Sequence, residues 1–461
     1  MIPFDRMTYR QTQFFKFGDK RLDKRAERVF QILLGSDLSA GFPRIFNNQY
    51  ELKSFYRLMN NKKVTPQKIN AGYNQGLQHI LAEAAVSQEV SPKVYYQYQD
   101  TTYGSYLGRN KLDLGYLENI NDNGVVLHTA LLTDTAYTPL GISWQKQILR
   151  DRENYQKAQN RKKRPFEEKE SFKWVESMQW AIQTQRTLNA RIIHVADREG
   201  DMLELFNYAL TNDLDFIVRL RHDRLMEGQT VKIKAYLSQQ PPKAIISRQL
   251  LDDKGQAYVA KCALFWTTIK LPKVTKSIQV IYLRQLDNLK LNQQTQWAIY
   301  TSLPMVIEEQ AIQVLDVYTH RWRTCEDFHK CLKSGCSMEK RQFDSAQAMT
   351  NCITILSLTA LHLLRMRHLA VFEDAPIEKV LEPQQIKLAT ILADKYLKTV
   401  DLLECQPHTV RWFVLILARM GGHQGIRQSG LPGWKTLWLG WSDFKKLMDG
   451  IILSMNFFHP T

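Results

Sequence analysis

Apolar residues recur every three or four positions through much of residues 1–70, the repeat of an amphipathic helix. GDKRLDKRAERVFQILLG carries a charged face and an apolar stripe of Leu22, Ala26, Val29 and Leu33, and a glycine closes it. QYELKSFYRLMNN repeats the arrangement with Leu52, Phe55, Tyr56 and Met59 and stops at Asn60–Asn61. From 94 to 220 the pattern changes. VYYQYQD, VVLHTALLTD, PLGISWQKQI, ARIIHVAD and DFIVRLR predict strands, and EEKESFKWVESMQWAIQTQ predicts a helix with Phe172, Val175, Met178 and Ile182 on one side. That order predicts an α/β domain with a mixed sheet. Between 222 and 305, AIISRQL, AYVAKCALFWTTI, SIQVIYLRQL and QWAIYTSL are separated by Gly, Asn, Asp and Pro, the signature of an inserted antiparallel β unit. After Thr319 the chain reads as almost wholly helical. The last helix, SDFKKLMDGIILSMNFF, places Phe444, Leu447, Met448, Ile451 and Met455 along one side, either as a core helix or as an oligomerisation helix.

Length and charge add context. A chain of 461 residues predicts two or three domains. Its net charge of +16 calls for a polyanionic partner, either nucleic acid or an anionic membrane surface. Nothing favours the membrane: the longest apolar run, Ile353 to Leu364, is too short to span and is closed by Arg365, and the N-terminus has no signal-peptide core. The N-terminal helices are then either a small bundle with solvated charges or a basic DNA-binding module. In the second reading Lys16, Lys20, Arg21, Lys24 and Arg25 are the phosphate contacts. The basic run NYQKAQNRKKRP is a solvated loop or a further phosphate contact. The six cysteines form no CxxC pairs and read as reduced cytosolic thiols, and the Cys331/Cys336 spacing does not suit zinc.

Three acids carry the candidate chemistry. Asp100 ends VYYQYQD and precedes Thr101 and Thr102. Asp197 ends ARIIHVAD and opens DREGD. Glu326 lies in the helical stretch YTHRWRTCEDFHKCLK. Two acids at strand ends and one on a helix can gather two divalent ions about 3.5–4 Å apart, the spacing of two-metal phosphoryl transfer. Hard oxygen ligands select Mg²⁺, with Mn²⁺ as a substitute. Each acid also has a plain structural reading, as a turn residue or an exposed helix charge. His194 and His329 read as packing residues, because this chemistry needs no histidine.

These residues resemble the bacterial insertion-sequence transposases of the DDE class, the group with a Tyr-Arg-Glu-Lys signature typified by the Tn-five transposase. The resemblance runs through GDKRLDKR, FYRLMNN, QDTT, EKESFKW, ADRE, FIVR, YTHRWR–EDFHK, LARMGG and GWKTLWLGW, in order along nearly the whole chain. It implies a helical DNA-binding domain over 1–70, a ribonuclease H-like catalytic domain over 71–365 with a β-subdomain inserted at 222–305, and helical dimerisation elements over 366–461. It implies Asp100, Asp197 and Glu326 as the metal-binding catalytic triad. Tyr318, Arg321 and Lys333 become phosphate contacts, joined as DNA contacts by Arg323, Lys330 and Arg219. Trp297 becomes the ring that stacks on a flipped base, where the residues alone favour a strand core position. The implied activity is cut-and-paste transposition: nicking at the element's ends, a hairpin intermediate, its resolution, and strand transfer by a homodimer on double-stranded DNA in the bacterial cytoplasm.

One spacing departs from the signature. Four residues separate Arg321 from Glu326 where the family has three, so Cys325 occupies the expected position of the acid. On a straight helix this puts Arg321 about 140° from Glu326. A π-bulge that absorbs the extra residue, Arg323 taking over the contact of Arg321, and an insertion that impairs the enzyme all remain open. Two rival functions stay open with them: a metal-dependent nuclease without strand transfer, and an impaired relic that binds DNA as an inhibitor.

Overall fold

The computed structural model describes residues 13–458, apart from 47, 87–92, 107, 109–113, 156–163, 252–256, 287–295, 403–404 and 425–431. Most of the basic run after Asn154 and the side chain of Met455 fall outside the described residues.

The N-terminal helices form as their patterning requires. α1 (Lys20–Leu34) starts at Asp19, whose carboxylate accepts the Arg21 N–H at 2.9 Å. Such a cap contributes about 1 kcal/mol. The stripe Leu22, Ala26, Val29, Phe30 and Leu33 is buried. It packs on α3 (Gln49–Met59), which follows the short α2 (Phe42–Ile45). α4 (Pro66–Val86) runs across residue 70 and leads into the sheet.

A single nine-stranded mixed sheet forms the centre. β1 (Lys93–Ser105), β2 (Gly124–Thr133) and β3 (Pro139–Ile148) pair antiparallel. The helix α5 (Lys173–Leu188) leads to β4 (Ala190–Ala196), and α6 (Leu203–Thr211) to β5 (Asp215–Arg219). β4 lies parallel to both β1 and β5. After the short α7 (Ile233–Ser238), the strands β6 (Ala244–Leu251), β7 (Ala257–Ile269), β8 (Ile278–Gln285) and β9 (Gln296–Thr301) form an antiparallel meander. The antiparallel unit expected at 222–305 therefore continues the main sheet through β5–β9 pairing, in the order β3-β2-β1-β4-β5-β9-β8-β7-β6.

Alternation along the strands feeds two cores. Ile192, Phe216 and Val218 pack with Trp174 and Phe206 on one face. Ile193, Val195 and Ile217 pack with Leu315 and Phe328 on the other. The second face receives α8 (Glu308–Arg321), a π-helical turn at Trp322–Glu326, α9 (Asp327–Lys330) and a second π-helical turn at Cys331–Gly335. Behind them lies α10 (Ala346–Leu369), an apolar helix buried along nearly its whole length. By length and composition α10 could cross a membrane, but here it is the wall shared by the other units. Its Asn351 donates to the carbonyls of Met59 and Val64, both at 2.9 Å, which docks the N-terminal helices. α11 (Pro383–Tyr396), α12 (Thr399–Leu402), α13 (Val410–Met420) and α14 (Trp434–Phe458) complete the chain. Within α14, Phe444 and Met448 are buried, whereas Leu447, Ile451, Ile452 and Leu453 are exposed. All six cysteines are buried.

Candidate active site

Strand register sets the first two acids. β1 and β4 pair as Tyr98↔Val195, an offset of 97, and the same offset puts Asp100 opposite Asp197 (197 − 100 = 97) just past the last paired residues. Neighbouring strands lie about 4.8 Å apart, and residues two further along each strand return to the same face. That face is the one covered by α8, since Tyr98 donates its hydroxyl hydrogen to the Val317 carbonyl at 3.0 Å. Asp197 lies at the carboxyl end of β4, the usual place for a site in an open α/β sheet, whereas Asp100, expected to end its strand, lies inside β1, which continues to Ser105 paired with β2.

The helix brings the remaining groups. Arg321 donates through Nη1 to Asp100 Oδ2 at 2.9 Å, and both side chains are buried. The Thr101 N–H donates to Asp100 Oδ1 at 2.9 Å. Burial pushes the Asp100 carboxyl up to about 6, and the charges of Asp197 and Glu326 push the same way, against the pull of Arg321 and the Thr101 N–H. Asp197 and Glu326 therefore each lie within electrostatic reach of Asp100. Asp197 also caps a short turn, with Oδ1 accepting the Glu199 N–H at 2.8 Å.

The chain departs from a regular α-helix between Arg321 and Glu326. The π-helical turn covers Trp322–Glu326, so the i,i+4 ladder is interrupted there. Cys325 is buried in the same cluster. Its thiol is pushed well up by burial, with Asp100, Glu326 and Asp197 adding to the effect. Arg321 is on Asp100, and Arg323 is exposed.

The other expected contacts separate into two groups. Tyr318 is buried beside Arg321, and Trp297 meets its ring edge-on with centroids 6.3 Å apart. Trp297 is partly buried and packs against the core on this face. Lys333 points to Glu339 at 3.8 Å, and Glu339 accepts the Ser105 N–H at 3.0 Å. Lys330 is exposed, and Arg219 closes β5 partly buried. Three polar atoms around Asp100 lack a hydrogen-bond partner among the described residues: the Tyr318 hydroxyl, Arg321 Nε and His329 Nε2. His329 is buried with Nδ1 3.9 Å from Asp100 Oδ2, and burial, aided by Lys333 and Arg321, brings it down to about 3, so its imidazole is neutral.

Sequence reasoning missed the polar layer on the opposite face of β1. Thr101 Oγ1 lies 2.8 Å from His128 Nδ1, and His128 Nε2 lies 3.2 Å from Gln99 Oε1. Gln99 Nε2 reaches His194 Nδ1 at 3.4 Å. Trp174 meets the His128 ring edge-on at 4.5 Å. Lys173, almost fully buried, sits 3.5 Å from Glu170 and 3.8 Å from Glu199. The signal was the alternation of Gln97 and Gln99 in VYYQYQD, polar residues at strand positions the fold buries. Trp322 was also missed. It is half-exposed on the π turn, with the Arg321 guanidinium 5.3 Å from its ring centroid.

A cluster of acids with one buried carboxyl held near 6 has the donor chemistry for a hard divalent cation. In this conformation Arg321 supplies the counter-charge instead. No group of three or more His, Cys, Asp or Glu side chains is arranged to hold a metal ion among the described residues.

Residues 8–64 match the family model described as transposase DNA-binding. The matched segment takes in α1, α2 and α3 and stops just before α4. It supports a DNA-binding transposase, with DNA as the partner of the N-terminal helices.

Proposed function

We propose that this chain is a cut-and-paste DNA transposase. Its N-terminal helices bind the ends of its own element, and Asp100, Asp197 and Glu326 are the catalytic acids. The observation that supports this reading is a buried Asp100, held by Arg321 and within electrostatic reach of Asp197 and Glu326, in a chain whose residues 8–64 match a transposase DNA-binding module. The mixed sheet, with two aspartates past the paired ends of neighbouring parallel strands, agrees with a ribonuclease H-like core.

The acids would hold Mg²⁺, or Mn²⁺, which when bound polarises phosphoryl oxygens and makes water or a DNA 3′-hydroxyl nucleophilic. The chain's own groups have distinct parts in the reaction. Arg321 keeps Asp100 paired until DNA arrives, then offers its guanidinium to a phosphate, for which its unpartnered Nε is free. Tyr318 adds its unpartnered hydroxyl to the same group. Lys333, with Lys330, Arg323 and Arg219, contributes cationic contacts along the strand. Trp297 stacks on a base taken out of the duplex. Extrusion costs a few kcal/mol, and stacking on an aromatic ring returns about 1–3 kcal/mol. The sequence of events is nicking, hairpin formation, hairpin resolution and joining of the 3′ ends to target DNA, carried out by a homodimer in the bacterial cytoplasm. The exposed apolar positions Leu447, Ile451, Ile452 and Leu453 of α14 suit the dimer contact.

The test is a short element bounded by the inverted repeats that flank this gene, incubated with purified protein and Mg²⁺. Excision with joining to a second DNA is expected. Cleavage without joining would make the protein a nuclease, and binding without cleavage would make it a DNA-binding inhibitor.

A further inference from the structure

The outer side of the π turn carries a second cationic feature. Arg323 and Arg367 line a cavity of about 230 Å³ together with Asp327, His368 and Trp434. Its charges are unevenly satisfied. Asp327 is the one acid in the lining, and Arg367 Nη1 already holds it at 2.8 Å. The Arg367 guanidinium lies 4.5 Å from the Trp434 ring centroid, which fixes its plane. Its Nε is buried and has no acceptor among the described residues. Arg323 is exposed, with no ion pair or hydrogen bond to any described residue. His368 sits at Ala136 O, 3.4 Å from Nε2, and burial brings it down to about 4, so it adds a neutral imidazole and no charge. After Asp327 is neutralised, the cavity keeps a free guanidinium and an orphaned N–H.

We propose that this cavity is a phosphate-binding subsite that takes a backbone phosphate of bound DNA, with Arg323 and Arg367 as its two donors. Guanidinium groups present paired N–H donors that match phosphate oxygens, and a planar stacked arginine loses little freedom on binding. The cavity is large enough for a phosphate group with a few waters. Because Asp327 follows Glu326 directly, a strand seated here would run along the outside of the turn that presents the third acid. The subsite rests on the DNA-binding part of the proposed function, not on its chemistry.

The experiment measures binding of a 20-base-pair duplex of arbitrary sequence, at several salt concentrations, to wild type and to the Arg323→Ala, Arg367→Ala and Arg367→Lys variants. Phosphate contacts do not read sequence, so an arbitrary duplex suffices. Arg323→Ala should weaken binding by roughly 5–10-fold and make the slope of log K against log salt shallower by about 0.9. Arg367→Ala should do the same, and Arg367→Lys should recover part of the slope. Arg323 is exposed and supports no packing, so its variant keeps the test valid if Arg367→Ala misfolds. Slopes and affinities equal to wild type would overturn the subsite. Calorimetric binding of inorganic phosphate that Arg323→Ala abolishes, with an unchanged DNA slope, would also overturn it, because the ligand would then be free phosphate. Wild type that binds DNA steeply yet never cuts its ends would sink the transposase reading and leave the subsite standing.

Discussion

Arg321 Nη1 and Asp100 Oδ2 are joined at 2.9 Å across 221 residues of sequence, and this pair ties the helix to the sheet inside the candidate site. Its titration behaviour follows from its burial. Asp100 ionises near 6 in the folded chain, above its ordinary value, so it costs stability as pH rises from about 4 to 6, and the cost then stays constant. Replacing Arg321 with Ala removes the charge that opposes this shift, so folded Asp100 stays protonated to higher pH. The variant should keep losing stability above pH 6, where wild type levels off. Urea denaturation should show a destabilisation larger at pH 8 than at pH 5 by roughly 1–3 kcal/mol. An equal loss at both pH values would mean that Arg321 does not set the ionisation of Asp100.

The acid and the thiol on the π turn make opposite predictions. Glu326→Gln and Asp197→Ala should each lower cleavage of end DNA by about 10³-fold or more while leaving DNA binding largely intact. Cys325→Ala should stay within a few-fold of wild type. If Cys325→Ala is the inactive variant and Glu326→Gln is not, the third acid has been misassigned.

Asp401 and Arg419 form a second buried pair, with contacts of 2.9 and 2.7 Å, that joins α12 to α13. Burial works to raise the Asp401 carboxyl, but the hydrogen bonds of Arg419 and the Lys398 N–H outweigh it and hold the group below the ordinary carboxylate range. The sign is therefore the reverse of Asp100. The pair stabilises the fold above about pH 4 and loses that contribution as pH falls through the depressed value. Arg419→Ala should cost about 3–5 kcal/mol at pH 7 by stranding a buried charge. The gap from wild type should narrow on acidification to pH 3. A gap that widens would contradict the assignment.

On α1, Lys20, Arg21 and Lys24 are exposed. If they contact phosphates, the triple Ala variant should bind DNA with a log K–log salt slope shallower by about 2–3, from roughly 0.9 counterion per phosphate. An unchanged slope would move the DNA to another face of the N-terminal helices.

Much of this was legible because local pattern and burial agree. The stripe of α1, the strand runs and Asp197 at the end of β4 followed from periodicity alone, whereas Asp100, expected to end its strand, lies inside β1, which runs on to Ser105. The pause between Arg321 and Glu326 was also legible, since a straight helix cannot put both on one side at that spacing. The rest depends on tertiary pairing. Nothing in AIISRQL or QWAIYTSL tells whether β6–β9 stand apart or extend the main sheet, because an edge strand looks the same until its neighbour is known. Trp174 meeting His128 was out of reach for the same reason, since 46 residues of sequence separate the two rings (174 − 128 = 46).

The offset of 97 that sets Asp100 across from Asp197 has a mechanical corollary. The spacing of these carboxyl groups is held by backbone ladder bonds in the middle of the sheet, not by side-chain contacts that can loosen one at a time. A one-residue slip of β4 against β1 would turn Asp197 to the opposite face. Insertions within either strand should therefore abolish catalysis outright, while changes of length between the strands leave the spacing untouched. By the same reasoning, amide hydrogens at Tyr98 and Val195 should exchange only as slowly as the whole domain opens, so the geometry of the two aspartates persists until the molecule unfolds.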